Sequence, residues 1–171
     1  MVQWADDRVR QGREAKLERL ILAVSDMGDA ADAARFLRSA LRGDEGFVSP
    51  HVQRALLTGL FVSYARPFTR SRGNPRLPVA PTTGLSTEEQ TTHKWALAER
   101  DRVWAHSERE GHRRVVQFQE APAPGSVASL QESFEPPSLE DIAKLGELAD
   151  SLHERYCDQA IALGRELASE A

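Results

Sequence analysis

The chain has 171 residues, 40% hydrophobic and 28% charged, with a formal net charge of -4. This is the size and mixture of one ordinary globular domain, which excludes a disordered chain and a strongly basic nucleic-acid coat. A single cysteine, Cys157, excludes an internal disulfide framework and a thiolate zinc cluster, and fits a reducing compartment.

Taken in chain order, the N-terminus MVQWADDRVRQGREAKLERL is charged every few residues. It reads as neither a signal peptide nor an anchor. No run reaches the roughly 18 apolar residues of a membrane span, so a cytoplasmic protein with no membrane partner is expected. Residues 13–24 place Leu17, Leu20, Ile21 and Val24 at helical spacing. Ser25 to Gly28 then reads as a break, with Asp29 capping a second helix through Arg42 whose core stripe is Ala33, Phe36, Leu37, Ala40 and Leu41. Gly43 ends it.

Ser49-Pro50 is a cap followed by proline at the first helical position, and it opens HVQRALLTGLFVSYA, a strongly apolar helix expected at the centre of the fold. Arg66-Pro67 stops that helix, because the residue before proline is pushed out of helical geometry. Residues 66–85 are rich in Pro, Gly and Arg and read as a long loop. Arg66, Arg70, Arg72 and Arg76 make it locally cationic, with no acidic residue between them, so a phosphate-bearing partner such as RNA suits it.

Ser86-Thr87-Glu88-Glu89 is a capping box that opens a helix expected to reach about Gly111. Residues 112–137 read as an irregular segment. RRVVQFQ alternates as a strand does, which suits a short β-hairpin or flap near 113–135. Ser138 with Asp141 caps a last helix whose stripe runs Ile142, Leu145, Leu148, Leu152, Tyr156, Ala160, Leu163 and Leu167. The expected fold is all-α: one domain, 1–171, built as an antiparallel bundle of about five helices.

Gly-rich phosphate loops, nucleophile elbows and paired helical histidines are missing from the sequence. The nearest metal-like pattern is Asp150-x-x-His153, echoed by Gln90-x-x-His93, and both read as polar pairs on helix faces, so neither metal nor cofactor is expected. The segment that stands out is Arg100-Asp101-Arg102-Val103-Trp104-Ala105-His106-Ser107. It resembles the Arg-x(4–6)-His signature of the HEPN superfamily of small helical bundles, in which the residue after the Arg is commonly polar, as Asp101 is. His93 and Leu97 ahead of the Arg, and YARPFT before the long loop, resemble small bacterial members.

This resemblance implies a metal-independent endoribonuclease of toxin or phage-defence type. It would act as a homodimer, with an antitoxin or other partner protein, both protomers lending Arg and His to one cleft. Imidazole titrates near neutral pH, so His106 suits the proton transfers. Arg100 suits the charge that builds on phosphate, and its planar fork holds the oxygens. Asp101 would orient one of the two, while Arg102, Ser107, His112, Arg66, Arg70 and Arg72 would widen the phosphate contact. On an ideal helix Arg100 and His106 stand about 120° apart, so convergence needs a distorted helix or a second chain. The same residues also fit a non-catalytic dimerisation or interaction module, with Glu99 to Arg102 as a solvated ion-pair face and His106 as a helix-end cation.

Overall fold

The computed structural model describes residues 3–44, 48–69, 80–101, 113–119, 127–133 and 137–170. Helix α1 spans Gln3–Arg42, α2 Pro50–Ala65, α3 Thr87–Glu99 and α4 Leu139–Ser169. A short 3-10 turn, Arg66–Phe68, follows α2. Strands β1 (Arg113–Gln119) and β2 (Val127–Ser133) pair antiparallel, with Arg113 opposite Ser133 and Gln119 opposite Val127. The fold is all-α in class.

The helix starts follow from local chemistry. The Ser49 hydroxyl accepts from the Val52 amide ahead of Pro50. Ser86 and Glu89 close a reciprocal capping box, Ser86 Oγ accepting from the Glu89 amide and Glu89 Oε2 from the Ser86 amide. Ser138 Oγ accepts from the Asp141 amide. Such caps satisfy backbone donors that the first helical turn leaves without partners. At the other end of α1, Gly43 takes φ +85°, and the Gly43 and Asp44 amides donate back to Ala40 and Ser39. That left-handed residue is what a glycine C-terminus provides.

The helices pack as a ring: α1 against α2 and α4, and α3 against α2 and α4. Their core holds Leu20, Met27 and Leu37 of α1, Leu60, Phe61 and Tyr64 of α2, Ala96 of α3, and Ile142 through Tyr156 of α4. Helix α1, rather than α2, therefore makes the most extensive packing. Its interface with α4 is antiparallel and close: a Cβ built on Gly146 would stand 2.8 Å from Cβ of Ala34.

Three expectations are corrected. Residues 13–24 and 29–42 do not form two helices separated at Ser25–Gly28; α1 runs through as 40 residues, so four α-helices stand among the described residues where about five were expected. The supposed breakers are contact residues. Gly28 faces His153, whose Nδ1 lies 3.4 Å from where a Cβ would be and donates to the Val24 carbonyl at 2.9 Å. Asp29 is an exposed helical residue rather than a cap. Phe36, expected in the core stripe, and Ile21, one of the helically spaced apolar residues of 13–24, are 44% and 57% exposed. In one continuous helix they fall roughly 60° apart, on the side away from α2 and α4. The fourth predicted helix is regular only to Glu99; Arg100 and Asp101 sit in a widened, π-type turn. Residues 102–112, over which it was expected to continue, lie outside the described residues.

Candidate functional site

Arg100 and Asp101 close α3. The Arg100 amide is shared between the Ala96 and Leu97 carbonyls, as the last regular turn loosens into the wider one. Its guanidinium donates to Asp101 Oδ1 at 2.6 Å, with the Arg100 side chain 29% exposed and Asp101 64%. The structure thus brings two of the three expected catalytic residues together. The third, His106, and Arg102, Ser107 and His112 lie outside the described residues, as do Arg70, Arg72 and Arg76.

Arg66 is described, with its side chain 57% exposed and paired with a buried carboxylate. Its guanidinium donates to Asp26 Oδ1 at 2.6 Å, and Asp26 is only 5% exposed. Buried Arg19 donates to the Thr69 carbonyl at 2.9 Å. Burial pushes the Asp26 carboxyl up, against the pull of Arg66 and, more weakly, Arg19. These contacts tie the start of the cationic loop to α1. The far end is tied as well: the Ala80 amide donates to the Pro67 carbonyl, Tyr156 Oη to the Pro81 carbonyl and Arg155 to the Thr83 carbonyl. The loop therefore leaves and re-enters the bundle at fixed points.

His93, one α-helical stretch before Arg100, belongs to a ring cluster with Tyr64 and Phe68, at centroid distances of 5.9 and 4.6 Å. Tyr64 is fully buried, and burial holds its phenol above the ordinary range, so it stays protonated and donates to His93 Nδ1 at 2.9 Å. Burial, and then Lys94, lower the His93 pKa. Both causes favour the neutral imidazole, which accepts at Nδ1 when its own proton is on Nε2. Trp95 packs edge-on against Phe61 and, with Glu88, Thr91, Thr92, Asp141 and Lys144, lines a cleft of about 300 Å³ between α3 and α4.

The metal-like spacings are engaged otherwise. Asp150 accepts from Arg35 at 2.8 Å while His153 serves the Val24 carbonyl; Gln90 donates to the Leu85 carbonyl and His93 meets Tyr64. Among the described residues no three His, Cys, Asp or Glu gather as metal ligands. No described helix is long and apolar enough to cross a membrane.

Sequence reasoning did not single out Asp26 or Arg19, whose partners lie 40 and 50 residues away. An Asp whose helical neighbours at Ala23, Met27 and Ala30 are apolar was the available signal. Comparison with known protein families, with curated proteins and with solved structures finds nothing that matches this chain.

Proposed function

We propose that the chain is a HEPN-like protein of toxin or phage-defence type that cleaves RNA without a metal, through Arg100 and His106. The observation that carries this reading is the Arg100 guanidinium fixed by Asp101 on a widened turn at the end of α3. The resemblance assigns Asp101 an orienting role, and the bond is of that kind.

In the proposed reaction the 2'-oxygen attacks the adjacent phosphorus and its proton passes to a base. The 5'-oxygen leaves with a proton from an acid, giving a 2',3'-cyclic phosphate and a 5'-hydroxyl. His106 serves these transfers, and Arg100 stabilises charge on the non-bridging oxygens. A second protomer completes the site. The purified protein is expected to cut single-stranded RNA in excess chelator and leave cyclic phosphate ends. His106→Ala abolishes cutting with the fold retained. Cutting unchanged in that variant, or none by the wild type across a broad RNA panel, refutes the reading.

A second reading, a non-catalytic interaction module, is favoured by one observation: Ile21, Leu22 and Phe36 stand exposed on a single side of α1.

A further inference from the structure

Arg66 is the residue at which α2 passes into the cationic loop, and it is held at three points. Its amide donates to the Val62 carbonyl, its own carbonyl accepts from the Thr69 amide at 3.3 Å and the Thr69 hydroxyl at 3.1 Å, and its Nη1 donates to Asp26 Oδ1 at 2.6 Å. The ion pair is lopsided, with the Asp26 side chain 8% exposed and that of Arg66 57%. In the other ion pairs between described residues both side chains are at least 27% exposed, so the two partners can swing together in solvent. Asp26 is fixed instead by its surroundings: its neighbours along α1, Ala23, Met27 and Ala30, are buried.

Only one corner of this guanidinium is used. Its Nε and Nη2 meet no partner among the described residues, and more than half of the side chain is open to solvent. Arginine carries five N–H donors in a planar fork and can hold two phosphate oxygens through parallel N–H groups. A free exposed arginine gives up side-chain freedom when it grips phosphate, whereas one already fixed at its backbone and at one corner gives up less. The backbone around it is tied as well, since Arg19 Nη2 donates to the Thr69 carbonyl and the Ala80 amide to the Pro67 carbonyl, both at 2.9 Å. Asp26 offsets part of the Arg66 charge while it sets its direction. Those two effects oppose each other and can be separated by substitution.

We propose that Arg66 is a preset contact for a phosphate of the RNA strand, and that buried Asp26 is a positioning residue that acts through it. The inference rests on the proposed function only in taking RNA as the ligand, since it uses neither Arg100 nor His106.

The test measures the affinity of the full chain for a labelled single-stranded 2'-O-methyl RNA, which lacks the attacking hydroxyl, over a range of salt concentrations. Removing Arg66 alone would strand a buried carboxylate and endanger the fold, so isosteric Asp26→Asn serves as the background for Asp26→Asn with Arg66→Gln. Against that background, loss of Arg66 should weaken binding about tenfold and lower the salt slope by about 0.7, the share of one phosphate contact on a single strand. Asp26→Asn keeps an acceptor for Nη1 and should bind at least as tightly as the wild type. Asp26→Ala keeps the Arg66 charge but releases the side chain, and should weaken binding about three- to tenfold with the salt slope unchanged. A slope unmoved by loss of Arg66, or Asp26→Ala binding as tightly as Asp26→Asn, overturns the proposal; if the wild type still cuts RNA, the cleavage reading stands. The expected losses in a protein that binds RNA but never cuts it support the contact and refute cleavage alone. A wild type that neither binds nor cuts overturns both.

Discussion

The closest approach of the two longest helices makes a sharp test of the packing. Gly146 of α4 is buried, and a Cβ there would meet Ala34 Cβ at 2.8 Å, inside any normal carbon contact; at Gly164, on the same helix, a Cβ meets nothing within 4 Å. Replacing a helix-interior glycine by alanine gains about 1 kcal/mol of propensity at either place. At Gly146 the added methyl also forces α1 and α4 apart, an overpacking cost of about 1–3 kcal/mol. Gly146→Ala should therefore be neutral to about 2 kcal/mol destabilising, while Gly164→Ala stabilises by up to about 1 kcal/mol. The comparison cancels most of the propensity term. Denaturant unfolding followed by far-UV circular dichroism measures both, and for a chain of this size each kcal/mol moves the melting temperature by about 2–4 °C. If Gly146→Ala stabilises as much as Gly164→Ala, the close α1–α4 contact is wrong.

Other expectations concern the two perturbed groups beside the loop and α3. Burial raises the Asp26 carboxyl, so the folded state holds that proton more tightly than the unfolded chain. Wild-type stability relative to Asp26→Asn should fall as pH rises through and above the ordinary aspartate range, levelling once the folded carboxyl has ionised; a gap that moves in favour of the wild type contradicts this. His93 is shifted the other way, downward, by burial and Lys94. Its neutral form supports the fold above the ordinary histidine value, and that support is lost as pH falls through the folded value. His93→Gln should flatten that part of the acid-side stability curve, and an unchanged slope would refute the assignment. His153→Ala removes the donor to the Val24 carbonyl and should cost about 1 kcal/mol, read by denaturant unfolding; a neutral effect would show that the bond adds nothing.

What the sequence made legible is what neighbouring residues decide. Ser49-Pro50, Ser86 with Glu89, Ser138 with Asp141, and Gly43 each act within one turn of chain, so helix starts and one stop could be placed from residues alone. The stripe of α4, Ile142 to Tyr156, was equally plain because one long helix has one buried side. Ser25 to Gly28 misled for the opposite reason. Whether glycine breaks a helix or admits a neighbour depends on His153, 125 residues further on. Phe36 was assigned to the core because apolar spacing alone cannot say how far round a helix its neighbours reach. In the candidate site, the pairing of Arg100 with Asp101 is local and was legible, whereas the partner of Arg66, buried Asp26 40 residues away, could be seen only in three dimensions.

The proposed RNA cleavage turns most directly on Arg100. Rates of cutting of a labelled single-stranded RNA in excess chelator, compared for wild type, Arg100→Ala and Asp101→Asn, test it. Loss of the phosphate-binding fork should remove cutting by about a hundredfold or more, and loss of the Asp101 charge should give a smaller, partial loss. Equal rates in wild type and a folded Arg100→Ala would contradict the account.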